Sequence, residues 1–313
     1  MAKAAETGQS IIERYFIFIV LAVSLSALWL PSGFIWVKPH IPKLLGMIMF
    51  GMGVSLKFSD FAGIWKRRNL VAAGVLLQFI CMPLLAVVIS GLFDLPKELT
   101  IGMIIVGACP GGTASNVMAY LSGANLALSV TLTLMSTLLA PLLTPAIIYL
   151  FLSQNVDISF TDMMSSVFWI VFFPLMDGLV LRHFLYKYVQ KFISVFPTIS
   201  ILSITLIIGC VVALNRELLL SFPFLIFTAV LLHNISGLAI GYGAGKILKT
   251  SPEDAKTLAF EIGMQNSGLG VTLASQFFTA LSTLPGAIFS VVHNVTGLSL
   301  ANWWAGKRSN SDN

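Results

Sequence analysis

Apolar residues run through this 313-residue chain in ten long stretches separated by short polar punctuation. The stretches fall near 15–31, 41–56, 69–92, 99–122, 125–151, 162–181, 196–214, 219–245, 255–280 and 284–304. A helix needs roughly 20 apolar residues to cross a bilayer, whereas an outer-membrane barrel would show short alternating strands. The pattern therefore predicts an all-α polytopic membrane protein with ten transmembrane helices and no separate soluble domain. Two stretches carry polar, glycine-bearing interruptions. Pro110-Gly111-Gly112-Thr113-Ala114-Ser115-Asn116 breaks the fourth, and Glu261-Ile262-Gly263-Met264-Gln265-Asn266-Ser267-Gly268 breaks the ninth.

The two interruptions recur at matching places. A shift of 155 residues lays Pro110-Gly111-Gly112 on Gln265-Asn266-Ser267, and Val75-Leu76-Leu77-Gln78 on Val230-Leu231-Leu232-His233. Five stretches precede the connection near 152–160 and five come after it, so the second half enters the membrane from the opposite side. The expectation is two inverted five-helix repeats, 1–152 and 153–313. Unwound backbone survives at membrane depth only where protein or a water-filled cavity surrounds it. A matched pair of broken helices is the sequence mark of a secondary transporter's binding site.

Composition strengthens this picture. Hydrophobic residues make up 57% of the chain and charged residues 10%, with mean hydropathy +0.92, against about 25% charged residues in soluble domains. The net charge of +5 is a topology signal rather than a nucleic-acid footprint. Of 18 basic residues, only Lys38, Lys43, Lys97 and Arg216 fall on one side of the predicted spans; the others, including Lys3, Arg14, Lys66, Arg67 and Arg182, fall on the opposite side. The positive-inside rule then puts both termini in the cytoplasm. Glu6 and Glu13 in the leader, and no small-residue cleavage site after the apolar run, argue for a first span over a signal peptide.

The polar residues inside the spans carry the candidate chemistry. Pro110 ends a helix by removing a donor, Gly111 and Gly112 permit a turn, and Thr113 or Ser115 caps the half-helix beyond it. The second break lacks proline and relies on Gly263, Gly268 and Gly270, with Ser267 or Asn266 as cap. Half-helix N-termini favour an anion and unwound carbonyls a cation, which together suit a cation-coupled carrier of an organic anion. Among 13 acidic residues only Asp177 and Glu261 sit well inside spans. Each needs a reason, because a charge at the bilayer centre costs about 2.5–3.5 kcal/mol. Glu261, one turn before Gln265, is placed to ligate sodium; Asp177 reads as structural or peripheral. Gly237, Gly241 and Gly245 read as a close-packing stripe. Cys81, Cys109 and Cys210 read as packing residues, and the scattered His40, His183, His233 and His293 offer no zinc or iron cluster. No hydrolase or zinc-protease motif is present, so an enzyme is not expected.

The segment from Cys109 to Val117 resembles the fourth-helix signature of the bile acid:sodium symporter family, and Glu261 to Gly270 resembles its ninth-helix signature. The resemblance covers nearly the whole chain and is strongest to bacterial members. It implies a core of spans 3–5 and 8–10, where the broken fourth and ninth cross, and a panel of spans 1, 2, 6 and 7. It also implies two sodium sites. Ser115, Asn116, Ser129, Thr133 and Glu261 make the first; Gln78, Glu261, Gln265 and backbone oxygen at Ile262 or Met264 make the second. Ser129 and Thr133, four apart, share one helical face. Thr113, Asn266, His293 and Asn294 are the implied substrate contacts. The resulting expectation is a sodium-coupled importer of a bile acid or similar organic anion, working by alternating access in a bacterial inner membrane. Its partners would be sodium, the anion and lipid, with no nucleic acid and no obligatory protein partner. Rival readings are a carrier or exporter of another small solute such as arsenite, and a membrane-bound ligand receptor.

Overall fold

The computed structural model describes residues 16–153, 159–190, 192–221 and 223–311, and among them it is helical, with one isolated β-bridge and no strand. Lys3, Glu6, Glu13, Arg14, Lys191 and the centre of the connection between halves lie outside the described residues. The principal helices are α1 Phe16–Trp29, α2 Ile41–Ser55, α3 Arg68–Leu92, α4 Lys97–Gly107, α5 Ala114–Leu121 and α6 Leu126–Leu152. They continue with α7 Phe160–Phe184, α8 Phe196–Leu214, α9 Pro223–Ile247, α10 Pro252–Gly263, α11 Ser267–Phe277 and α12 Leu284–Ser311.

Six of these helices are long and apolar enough to cross a membrane alone: α3, α6, α7, α8, α9 and α12. The remaining four predicted spans fall on shorter helices. α1 and α2 are separated by a bend of 118° after Trp29. The predicted fourth and ninth spans are each divided, into α4 and α5 and into α10 and α11.

Small residues set the packing. α2 lies against α7 where Gly53 faces the Leu175 carbonyl and Gly178 faces the Phe50 carbonyl, contacts that a Cβ would obstruct. α8 packs onto α2 and α1 onto α8, and Arg182 of α7 donates to the Val54 carbonyl at 3.0 Å and to Ser55, closing the C-terminus of α2. α3, α4, α5, α6, α9, α10, α11 and α12 pack among themselves. Proline shapes the interior of α3. Pro83 cannot donate to the preceding turn, and the helix answers with a π turn at Leu77–Cys81 that carries Gln78.

Candidate functional site

The two breaks meet and complete each other. Gly111 and Gln265 form an antiparallel bridge, in which Gly112 N–H donates to the Met264 carbonyl and Asn266 N–H to the Pro110 carbonyl, both at 2.8 Å. Backbone groups with no lipid partner are thus satisfied across the crossing. The glycines serve closeness rather than an unusual turn. A Cβ on Gly112 would lie 2.6 Å from the Gln265 carbonyl oxygen, and one on Gly111 3.1 Å from Glu261 Oε2. Among the described residues only Gly123 is a glycine with positive φ. Side chains from outside the breaks hold other carbonyls: Thr144 Oγ1 donates to Ala108, Gln78 Nε2 to Cys109 and Asn234 Nδ2 to Gly263, each at 2.8 Å.

The second break is shorter than its sequence suggests. Glu261, Ile262 and Gly263 complete α10, and Gly268 and Gly270 lie inside α11. Gly270 is a packing glycine, since its Cβ would stand 3.2 Å from Val106 Cγ2 on α4. Asn266, rather than Ser267, caps α11 by accepting from Leu269 N–H at 3.1 Å. At the first break the expected cap is absent: Thr113 holds the position without a capping bond, and Ser115 Oγ turns to the Gly112 carbonyl at 2.8 Å and to Glu261. The amides of Asn266, Ser267, Leu269 and Gly270 all have protein partners, so the α11 N-terminus is more closed to an anion than expected. The crossing is tight enough for each to find a neighbouring oxygen.

Behind the crossing lies a buried carboxylate in a shell of oxygens. Glu261 is 3% exposed and accepts from Ser115 Oγ, from Ser129 Oγ at 2.5 Å and from Thr133 Oγ1 at 2.8 Å. Ser129 and Thr133 project from one face of α6, as their spacing predicts. Asn116 Oδ1 is buried without a hydrogen-bond partner. A second group adjoins through Gln78, whose Nε2 donates to Gln265 Oε1 while its own Oε1 is buried and unpartnered. Gln265 Nε2 donates to the Ile262 carbonyl at 2.9 Å, and the Met264 carbonyl is occupied by Gly112 N–H. The structure therefore joins Ser115, Ser129, Thr133 and Glu261 directly, and links Gln78, Gln265 and Ile262. A buried carboxylate with three hydroxyl partners is oxygen chemistry that suits a small hard cation, and Asn116 Oδ1 and Gln78 Oε1 are further buried oxygens without a partner.

The crossing also floors a cavity of about 1750 Å³. Thr113, Asn266, His293 and Asn294 line it, as do Asn116 and Gln265. His293 Nδ1 is buried without a partner, and Asn294 Nδ2 donates to the Ser290 carbonyl at 2.7 Å. Sequence reasoning read Ser267 only as a candidate cap and missed Ser290; their hydroxyls meet at 2.6 Å on the cavity wall. Apolar walls come from α2 (Leu45, Ile48, Met49, Met52) and α8 (Phe196, Pro197, Ile201, Ile204). Ser59, Asp60, Lys66 and Arg67 also line it, so it runs from the crossing to the side rich in basic residues. Asp177 is exposed on α7 and outside the cavity lining.

A polar seam joins the carboxylate to that same side. On α10, Asp254, Thr257 and Glu261 share a face; Asn125 caps α6 and stands in line with Ser129 and Thr133. Arg67 grips both oxygens of Asp254 at 2.8 Å, Asn125 Nδ2 donates to Asp254 Oδ1 at 2.8 Å, and Asn125 N–H donates to Thr257 Oγ1 at 2.9 Å. Neither Asn125 nor Thr257 is evident from sequence, because polar residues near a span end have no distinguishing signal.

Known proteins resemble this chain over most of its length. Residues 42–222 match the profile described as the Sodium Bile acid symporter family. The chain is 43% identical over 300 residues to the "uncharacterized sodium-dependent transporter YocS" of Bacillus subtilis, covering 96% of this chain and 92% of that one. It is 36% identical over 301 residues to the "probable sodium/metabolite cotransporter BASS1, chloroplastic" of Arabidopsis thaliana, covering 95% and 74%. The BASS1 protein of Oryza sativa subsp. japonica is 35% identical over 281 residues, covering 89% and 69%.

Proposed function

Because this chain belongs to the Sodium Bile acid symporter family, an integral-membrane family of sodium-dependent transporters, we propose that it is a symporter that imports an organic anion with sodium. The observation that carries the proposal is the buried Glu261 carboxylate and its three hydroxyl partners directly behind crossed helix breaks, which themselves floor a large cavity. In this reading Ser115, Asn116, Ser129, Thr133 and Glu261 hold one sodium ion. Gln78, Glu261, Gln265 and the oxygens of Ile262 and Met264 hold a second. The orphaned Asn116 Oδ1 and Gln78 Oε1 give each shell an uncommitted oxygen. The three hydroxyls that now donate to Glu261 turn their lone pairs to the ion when it binds.

Two cations beside one carboxylate leave a local positive surplus. An anionic head group then seats near Thr113, Asn266, His293 and Asn294, with its apolar body along the α2 and α8 walls. Bile acids, related steroids and smaller amphipathic carboxylates all meet that description. The names of the relatives, sodium/metabolite cotransporters, support coupling to sodium rather than any one cargo.

The architecture that goes with this reading has ten spans in two inverted repeats, 1–152 and 153–313, in a bacterial inner membrane with both termini cytoplasmic. α4 with α5, and α10 with α11, are its discontinuous fourth and ninth spans. α1, α2, α7 and α8 form the panel, and the other helices the core. Lys66 and Arg67 at the cavity rim then make this the inward-open conformation. Sodium binding from outside joins α5, α6 and α10, the core moves against the panel, and low cytoplasmic sodium releases the cargo. The test is uptake into vesicles with and without a sodium gradient, across a panel of organic anions. Full sodium-driven uptake by both Glu261→Ala and Gln265→Ala would refute the assignment.

A further inference from the structure

α9 approaches the second break more closely than any ordinary side-chain packing allows. Its Gly237 and Gly245 press on α10: a Cβ on Gly237 would lie 3.0 Å from Gly263 Cα, and one on Gly245 2.6 Å from Ala255 Cα. Gly263 reciprocates, since its own Cβ would lie 2.8 Å from Leu238 N. Asn234 precedes Gly237 by three residues and shares its face. With the backbones this near, a side chain as short as asparagine reaches the last carbonyl of α10, Nδ2 donating to Gly263 O at 2.8 Å. Asn234 is 0% exposed, and its Oδ1 accepts from Thr296 Oγ1 of α12 at 2.5 Å. One amide therefore fastens three helices at the point where α10 stops.

The first break has a counterpart that is not a copy. Gln78 reaches from α3 to the Cys109 carbonyl at the same 2.8 Å, but its oxygen is left bare. Asn234 is the complement: its oxygen is taken by Thr296, so it can clamp but has none to offer an ion. We propose that Asn234, held by Thr296, is a positioning residue for cation binding at the second break. By fixing the Gly263 carbonyl it sets the two flanking peptide units, whose Ile262 and Met264 oxygens belong to the second sodium shell; the inference rests on that sodium reading. Without the clamp, a buried carbonyl loses its donor, and a glycine peptide has no side chain to resist rotating toward another one. Outer partners that orient ligating groups are worth about 10–100-fold in metal affinity.

The experiment is thermal unfolding of the purified full-length protein, titrated with sodium against potassium at constant ionic strength. Asn234→Leu removes the donor at nearly constant volume and raises the sodium midpoint about tenfold or more. Thr296→Val keeps the amide but frees its oxygen, raising the midpoint about threefold; Thr296→Ser restores it. A merely structural role would lower the sodium-free melting temperature and leave the midpoint in place, which overturns the proposal. Where Asn234→Leu does not yield folded protein, the Thr296 pair decides alone. A wild-type protein without any sodium response overturns the underlying sodium reading as well, a result distinct from an unmoved midpoint in the variants.

Discussion

The two helix breaks cross at one bridge yet divide the work unequally. The first is long, running from Ala108 to Thr113, and contributes neutral groups: Ser115 on its far side, with Ser129 and Thr133 from α6 behind it. The second leaves only Met264 to Asn266 outside a helix and brings the carboxylate and the Gln265 amide. Two breaks that meet at one bridge therefore carry complementary rather than duplicate chemistry. On the proposed sodium reading, a shell built from both breaks is complete only while they are crossed, which would tie occupancy to conformation. The comparison is broken most directly at Glu261. Glu261→Gln keeps the shape and removes the charge; sodium-dependent stabilisation and sodium-driven uptake should both vanish, whereas Ser115→Ala should only weaken them. Equal losses from the two variants would mean that the breaks share the charge-handling role after all.

The next largest effect concerns how closely the breaks approach. Gly112→Ala places a methyl 2.6 Å from the Gln265 carbonyl oxygen, a fixed backbone atom. Overpacking of this kind costs about 1–3 kcal/mol, readable as a lower unfolding midpoint, with transport lost. Gly270→Ala meets a side-chain methyl at 3.2 Å that can yield, and should cost less. The reverse order would show that α11 packing, and not the crossing, sets the site.

Much of this was legible in the sequence because it is written in local chemistry. Polar clusters with glycine inside apolar runs locate both breaks, and the four-residue spacing of Ser129 and Thr133 places them on one face. The errors share a physical origin. Gly268 and Gly270 look like helix breakers in one dimension, but packing of Gly268 against Leu45 of α2 and of Gly270 against Val106 of α4 uses their lack of a side chain while the helix continues. The cap assignments failed at Thr113 and Ser115 because a buried carboxylate competes for the serine hydroxyl. Asn234 and Thr296 were invisible since their meaning lies in contacts between α9, α10 and α12. The repeat alignment pointed one residue away, to His233, which instead bonds the Met82 carbonyl at 2.9 Å.

Separating the two proposed ions sharpens the comparison further. Ser129 bonds Glu261, whereas Gln78 bonds Gln265 and the Cys109 carbonyl. A hydrogen bond to a charged group is worth about 1.5–3 kcal/mol, so Ser129→Ala should raise half-saturating sodium about tenfold. Gln78→Ala should raise it as well, and each variant should lower the cooperativity of sodium-dependent uptake. Hill coefficients that stay at the wild-type value in both would leave a single ion spanning the two groups.

The smallest effect lies at the far end of the seam that anchors the second break. Arg67 is 45% exposed and Asp254 11%, so their pair is only partly shielded from water. Exposed ion pairs contribute about 0–1 kcal/mol, and this one lies two helical turns from Glu261 on the same face of α10. Arg67→Ala leaves Asp254 the Asn125 amide donor and the shell around Glu261 untouched, so the sodium midpoint should hold while stability falls by less than about 1 kcal/mol. That deficit should shrink as potassium chloride is raised, because screening weakens the wild-type pair as well. A shift in the sodium midpoint without a matching loss of stability would mean that the N-terminal end of α10 steers the site from two turns away, and the division of labour would then belong to the whole α6–α10 seam instead of to the crossing.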